Sequence, residues 1–265
     1  MEPAEHAARI FVLTEDTSKK NDARATVEAL VRKMLPLVVT NCRVHDRVAF
    51  LPTDPHEQEA MHGCVWKGDK PRDHDARVRL QRYIARRLRE PRTFVVFHVD
   101  GDVPWEKRAA SENKQKFEAF VVRIAQAAGA GHRNVQKSRR APPQESNLPV
   151  EPDLDNLIVL MPFYTLESWL YQNLDGVLDI CRRHHDGKHV ESVRDWENKR
   201  HQLDEIVKPD EQFCVAKMHN LELASRGFPA QKVYEIKMSF FESVEHMKAC
   251  TKLVDALLST VETWA

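Results

Sequence analysis

The chain has 265 residues, enough for one large domain or two small ones with a sizeable buried core. Its 40 basic and 40 acidic residues balance, which excludes a uniformly basic polyanion-binding protein, so any nucleic-acid surface must be local. Five widely spaced cysteines form no C-x-x-C pair, which argues against a disulfide framework or a cysteine-type zinc site. With no run of ~18 apolar residues and no signal-peptide start, we expect a cytoplasmic protein without a membrane segment.

Apolar runs and helical periodicity alternate along the chain. The sequence predicts strands at 9–14, 48–51, 93–99 and 156–161, and helices at 22–35, 75–90, 111–127 and 165–175. Pro36 is expected to end the first helix and Asp75 to cap the second. This alternation predicts an α/β fold with a mainly parallel central sheet and helices on both faces.

The C-terminal part of the chain is polar and helical in tendency. It ends in an amphipathic segment that predicts one helix over 239–264. We therefore expect an α/β core over 1–175 and a mostly helical extension over 176–265 that packs on the core, with a single domain as the alternative.

Two of the predicted strands end in carboxylates. Glu15 and Asp16 follow the first strand, and Asp100 and Asp102 follow the strand at 93–99. Because the carboxyl ends of parallel strands face one edge of the sheet, we expect these side chains to converge there. Such a cluster is repulsive without a cation and suits Mg²⁺, which prefers oxygen ligands. The alternative is a set of separate, solvated loop acids, since Asp-Gly is common in turns.

Between the two aspartates lies a glycine. We expect Gly101 to permit a tight turn in which Asp100 and Asp102 both face one ion.

In their order along the chain, Glu15, Asp100 and Asp102 resemble the TOPRIM signature of topoisomerases, primases and OLD-type nucleases. In that signature, a glutamate after the first strand precedes an Asp-x-Asp motif. Beyond that core, the chain resembles small stand-alone bacterial TOPRIM proteins found beside antiviral defence genes. The further similar motifs are Trp66-Lys67-Gly68, Glu167-Ser168-Trp169 and Ser239-Phe240. The resemblance covers most of residues 9–175. We expect Trp169 to lie in the core rather than to stack on bases.

The resemblance implies a TOPRIM-like nuclease, dependent on Mg²⁺ or Mn²⁺, that cleaves DNA or RNA as an effector of antiviral defence. Asp100 and Asp102 would hold the metal, and Glu15 would be a further ligand or a general acid/base. Asp16 and Glu167 would support the site. The alternative for Glu167 is a glutamate at a helix N-terminus that the helix macrodipole stabilises. Because no P-loop motif occurs, ATP-driven sensing would require a partner ATPase chain. An oligomer is a further expectation.

A local basic patch accompanies these acids. Residues 67–92 hold ten Lys and Arg residues against four acids. The predicted phosphate contacts are Lys67, Lys70 and Arg72, whose loop should lie near the acidic edge, followed by Lys107 and Arg108. The alternative is an ordinary solvated helix face.

Other functions compete with this interpretation. A non-catalytic TOPRIM-like module could bind nucleic acid or a protein partner with the same fold. The pair Asp100 and Asp102 also resembles the phosphotransfer motif of haloacid-dehalogenase phosphatases, although that motif lies on the first strand of its fold. The cluster of His184, His185 and His189 lacks a zinc-binding spacing, so we interpret it as a solvated turn.

Overall fold

In the computed structural model, the described residues are 7–15, 22–40, 47–52, 65–68, 70–135, 151–187, 189–199 and 215–259. For Arg72 and residues 127–135 only the backbone is described. Asp16 lies outside the described residues.

A four-stranded sheet forms the centre of the fold. Its strands are β1 (Ala8–Thr14), β2 (Val48–Leu51), β3 (Thr93–His98) and β4 (Leu157–Leu160). They lie in the order β2-β1-β3-β4, and every pairing is parallel. The predicted α/β fold with a parallel sheet is therefore confirmed.

Helices account for most of the other residues that the structure describes. Their bounds are α1 (Ala23–Val38), α2 (Pro71–Arg87), α3 (Glu112–Val135), α4 (Glu167–Leu170), α5 (Leu174–His185), α6 (Val190–Asn198), α7 (Asn220–Ser225), α8 (Ala230–Glu235), α9 (Ser239–Ala249) and α10 (Thr251–Leu258). Short 3₁₀ turns at Val65–Lys67 and Trp105–Ala110 precede α2 and α3.

Each face of the sheet is buried, as expected for a parallel sheet. On β3, Phe94 and Val96 point to the first face, which α1, α5 and α9 cover. Val95 and Phe97 alternate with them and point to the second face, which α2 and α3 cover. The near-continuous apolar run of β3 is thus explained by burial on both sides.

Several predicted helix boundaries are wrong. Pro36 does not end α1, because it lies in the last turn and the Val39 N–H still donates to Leu35 O at 3.1 Å. Asp75 is inside α2, which begins at Pro71, a residue well suited to the first helical position. The glycines after residue 127 do not stop α3, since glycine lowers helix propensity without forbidding the helix.

The predicted helix at 165–175 is two helices, because Asn173 interrupts it. The Asn173 side chain accepts the Gly176 N–H at 3.2 Å and caps α5. Its amide also donates to Leu223 O at 2.9 Å and to Arg226 O at 2.6 Å. The predicted C-terminal helix is likewise divided, at Cys250, into α9 and α10.

The C-terminal helices share a core with the first face of the sheet. Leu223, Phe240 and Met247 belong to the same buried cluster as Val31 and Val96. The extension is therefore packed against the sheet over a continuous apolar region. Within the described part of the chain, no helix combines the length and apolarity needed to cross a membrane.

Phe97 is expected to carry a large share of the packing on the second face. Its ring lies 4.9 Å from that of Phe117 and 6.1 Å from that of Phe120, measured between centroids. Phe97→Ala should lower the free energy of unfolding by about 3–5 kcal/mol, measured by denaturant unfolding, because it opens a cavity. Val122→Ala, at a residue 59% exposed on α3, should change it by less than about 0.5 kcal/mol. Equal effects of the two substitutions would contradict this packing.

Candidate active site at the β1 and β3 ends

The predicted carboxylates meet at the carboxyl ends of the two central strands. Glu15 directly follows Thr14, which is paired with His98 at the end of β3, and Asp100 lies two residues further. The chain leaves β1 for α1 on the first face, and it leaves β3 for α3 on the second face. Adjacent strands with connections to opposite faces define the switch point of an open α/β sheet, where ligand crevices form.

Glu15 is held against the chain segment that follows β3. Its N–H donates to His98 O at 3.1 Å, and its Oε2 accepts the Asp100 N–H at 3.1 Å. These bonds join residues that are 85 positions apart in the sequence. The expected convergence of Glu15 with the Asp-Gly-Asp segment is therefore present in the fold.

The Asp100–Asp102 segment is fixed by hydrogen bonds to α3. Asn113 Nδ2 donates to Asp100 O at 2.8 Å and to Asp102 Oδ2 at 2.6 Å. Ser111 Oγ donates to Gly101 O at 2.7 Å. Two side chains at the start of α3 thus set the shape of the turn.

The same turn is bonded to the loop after β4. The Gly101 N–H donates to Pro162 O at 2.9 Å, and the Asp102 N–H donates to Tyr164 O at 3.0 Å. Asp100 Oδ1 accepts the Leu166 N–H at 3.1 Å, which orients this carboxylate towards the start of α4. The acidic edge is therefore preorganised by main-chain bonds from two loops.

Gly101 has a different role from the one expected. The left-handed backbone conformation belongs to Asp102, with φ of 56°, and not to the glycine. A Cβ on Gly101 would lie 2.3 Å from Cδ1 of the buried Phe163 ring. The glycine is needed because the ring packs directly on the backbone.

Lys67 brings a positive charge to the acids. Trp66 anchors its 3₁₀ turn in the second-face core, with its ring 5.7 Å from that of Phe117. Lys67 Nζ lies 2.5 Å from Glu15 Oε1 and 3.9 Å from Asp102 Oδ2. The loop predicted to lie near the acidic edge does lie there, at Lys67, whose ammonium group pairs with two of the three carboxylates.

The other residues predicted to contact phosphate make no close approach to the three carboxylates in the described structure. Lys70 is exposed at the N-terminus of α2, and the side chain of Arg72 is not described. Lys107 is exposed, and the Arg108 guanidinium lies 4.1 Å from the centre of the Trp105 ring and 3.9 Å from Glu242 Oε1. No contact joins Lys70, Lys107 or Arg108 to the three carboxylates among the described residues.

Glu167 supports the fold at a position away from the three acids. It is buried, and its Oε1 accepts a hydrogen bond from Asn220 Nδ2 of α7 at 3.0 Å. Its neighbour Leu166 makes the contact with Asp100, through the main chain. Trp169 is in the core, as predicted, and its Nε1 donates to Ser239 Oγ at 2.8 Å.

Three site residues were not singled out from the sequence: His98, Ser111 and Asn113. His98 interrupts an otherwise apolar strand directly before the acids, which is a signal that the sequence does contain. The roles of Ser111 and Asn113 depend on the angle at which α3 leaves the turn, which no local pattern encodes.

The donor atoms suit a hard divalent cation, although the side chains are arranged around an ammonium group. Within the described residues, no three carboxylate, imidazole or thiol groups surround one point as metal ligands. Glu15, Asp100 and Asp102 nevertheless supply the oxygen donors that Mg²⁺ and Mn²⁺ accept. Asp100 Oδ2 and Asp102 Oδ1 accept no hydrogen bond from the described residues. The three residues fit a cation by chemistry, and Glu15 would have to exchange Lys67 for it.

A separate apolar cavity of about 500 Å³ lies between α3 and α9 beside β4. Phe117, Val159, Phe163 and His246 are among its lining residues. Burial lowers the pKa of His246, and a hydrogen bond to the Val159 main chain opposes this shift. An apolar lining offers few partners for a phosphodiester, so the acidic edge is the better candidate for that chemistry.

The comparisons with known proteins provide no relative: no family profile, curated protein or solved structure matches the chain significantly. The resemblance to TOPRIM proteins therefore stays a prediction that depends on short motifs and on their order.

The packing of Phe163 on Gly101 can be tested by substitution. Gly101→Ala should lower the free energy of unfolding by about 1–3 kcal/mol, because the new methyl group overlaps the ring. Phe163→Leu in the same chain should recover part of this loss, giving a non-additive double-mutant cycle in denaturant unfolding. A Gly101→Ala protein as stable as the parent would show that the ring is not held against this turn.

Proposed function

We propose that the acidic edge formed by Glu15, Asp100 and Asp102 binds a divalent cation and hydrolyses phosphodiester bonds in DNA or RNA. The observation that carries this proposal is the hydrogen bond between the Asp100 N–H and the Glu15 carboxylate, at 3.1 Å. It brings the predicted glutamate and the Asp-x-Asp motif together at the switch point of the sheet, where α/β proteins form their ligand sites.

Charge balance supports the cation. When ionised, the three carboxylates exceed the charge of the nearby Lys67 ammonium group by two, which matches one divalent ion. The side chain of Asp102 is 58% exposed, whereas those of Asp100 and Glu15 are 23% and 13% exposed. A cation at this edge would be reachable from solvent while its inner ligands remain shielded.

The proposed roles follow from these positions. Mg²⁺ or Mn²⁺, when bound, would polarise the phosphate and activate water as a nucleophile. Asp100 and Asp102 would hold the ion, with their orientations fixed by the Leu166 N–H and by Asn113. Glu15 would be a further ligand or would accept a proton from the attacking water.

Basic side chains would bind the nucleic-acid backbone. Lys67, once a cation replaces it at Glu15, would contact a phosphate oxygen beside the acids. Lys70, Lys107 and Arg108 would extend this contact along the strand, and phosphate contacts of this kind make binding salt-dependent. Arg72 is proposed on its sequence position alone, as is Asp16 among the supporting acids.

The biological setting is proposed from the resemblance. The motifs quoted above are consistent with a nuclease of the TOPRIM class that is an effector of antiviral defence. Such a nuclease would act in the cytoplasm and respond to a partner ATPase chain. Oligomer formation is part of the same proposal.

A second function is favoured by one specific observation. Lys67 Nζ at 2.5 Å from Glu15 neutralises the glutamate without a metal. If this ion pair is permanent, the chain is a non-catalytic TOPRIM-like module that binds nucleic acid or a protein partner. Such a module would bind DNA or RNA and leave it uncut in the presence of Mg²⁺ or Mn²⁺.

Cleavage assays separate these two functions. Glu15→Gln and Asp100→Asn should each lower Mg²⁺- or Mn²⁺-dependent cleavage of DNA or RNA by about 10²–10⁴-fold, because each removes a charge that the reaction needs. Glu191→Gln, at an exposed position on α6, should leave cleavage unchanged. Cleavage that persists in both site variants would rule out this site.

Metal titration tests whether Lys67 competes with the ion. Lys67→Met should tighten Mn²⁺ binding, measured by calorimetry, by about three- to tenfold, since a partly buried ion pair contributes on the order of 1 kcal/mol. The same variant should cleave more slowly, because it loses a phosphate contact. Lys70→Met should weaken substrate binding alone. Mn²⁺ affinity that does not change in Lys67→Met would contradict the competition.

A further inference from the structure

His98, the last residue of β3, is a buried histidine without hydrogen bonds. Its side chain is 5% exposed. Among the described residues, neither Nδ1 nor Nε2 has a hydrogen-bond partner. Leaving a buried polar atom unpaired costs about 1–3 kcal/mol. A buried imidazole at the end of an apolar strand therefore calls for a ligand that satisfies it.

The ring is aimed at the acidic edge. His98 Nε2 lies 3.3 Å from Asp100 Oδ1, yet the contact lacks the geometry of a hydrogen bond. Asp100 Oδ1 already accepts the Leu166 N–H at 3.1 Å, and a carboxylate oxygen has capacity for a second partner. The nitrogen and the oxygen thus face one another, and each can take a further partner.

Their separation is the one expected of two ligands on one ion. At metal–ligand distances of about 2.0–2.2 Å, neighbouring ligand atoms are about 2.8–3.1 Å apart in octahedral sites and about 3.3–3.6 Å apart in tetrahedral sites, so the two geometries together span about 2.8–3.6 Å. The observed 3.3 Å falls in this interval. A hydrogen-bonded pair would instead be expected to align its N–H with the oxygen.

We propose that His98 Nε2 is a ligand, together with Asp100, of the cation at the acidic edge, and that this site takes a transition metal such as Mn²⁺, Fe²⁺ or Zn²⁺ in preference to Mg²⁺. Imidazole nitrogen suits these borderline ions, whereas Mg²⁺ is bound through oxygen. The inference rests on the proposed cation site and specifies its metal.

The two nitrogen-bearing neighbours of the acids lie at different carboxylates. Lys67 pairs with Glu15 and Asp102, whereas His98 lies beside Asp100. Lys67 comes from the turn packed on the second face, and His98 alternates with Phe97 and so points to the first face. A metal ligated by His98 and Asp100 would thus be bound beside Asp100, and Glu15 would have to exchange Lys67 for it.

Electron spin-echo spectroscopy of the Mn²⁺-loaded full chain tests this directly. The wild-type spectrum should contain the modulation of a directly bound ¹⁴N nucleus. This modulation should disappear in His98→Asn and persist in His184→Asn, which alters an exposed histidine on α5. By calorimetry, His98→Asn should weaken Mn²⁺ binding by about tenfold or more and change Mg²⁺ binding by less than about twofold.

The outcomes separate the two proposals. Mn²⁺ binding that depends on Asp100 but gives no nitrogen modulation would overturn the role of His98 and leave the cation site intact. Mn²⁺ binding that is insensitive to both Glu15→Gln and Asp100→Asn would overturn the site itself. If His98→Asn does not fold, the wild-type chain labelled with ¹⁵N-histidine provides the test. The modulation must then change with the isotope, and it must be lost in Asp100→Asn.

Discussion

The hydrogen bond from the Asp100 main chain to the Glu15 carboxylate joins the ends of the two central strands, and the geometry of the acidic edge depends on it. Three carboxylates in this region repel one another, so the arrangement requires positive charge or donated hydrogens. Lys67, Asn113 and the Leu166 N–H provide them in the described structure. The fold therefore concentrates acidic side chains at a place where ligands bind in α/β proteins.

The elements around this edge are fixed independently of the acids. Trp66 places Lys67 by packing into the second-face core, and Phe163 places the Asp-Gly-Asp turn by packing on Gly101. Both anchors are buried aromatic rings, so apolar contacts place the two segments, and hydrogen bonds from Asn113 and from the Leu166 N–H orient the aspartates. Because the anchoring rings are distinct from the charged groups, Asp102 can be exposed and Lys67 can change partners while the core stays packed.

Much of this arrangement could be predicted from the sequence, because strand ends in a parallel sheet share an edge. Two apolar runs, each followed by acids, are sufficient to predict that Glu15 and Asp100 lie near one another. The break at Asn173 was missed because helical periodicity continues through it, while a tertiary contact with α7 competes for its side chain. The pairing of Lys67 with Glu15 could not be predicted, since it depends on how Trp66 packs rather than on any spacing in the chain.

The central claim is that the acidic edge of Glu15, Asp100 and Asp102 binds a divalent cation, and the most direct measurement is an anomalous-difference map from crystals soaked in Mn²⁺. We expect a peak about 2.0–2.6 Å from a carboxylate oxygen of Asp100, with the Lys67 ammonium group displaced from Glu15. A map without a peak at this edge, in crystals where Lys67 still contacts Glu15, would contradict the claim and identify the ion pair as a permanent part of the fold.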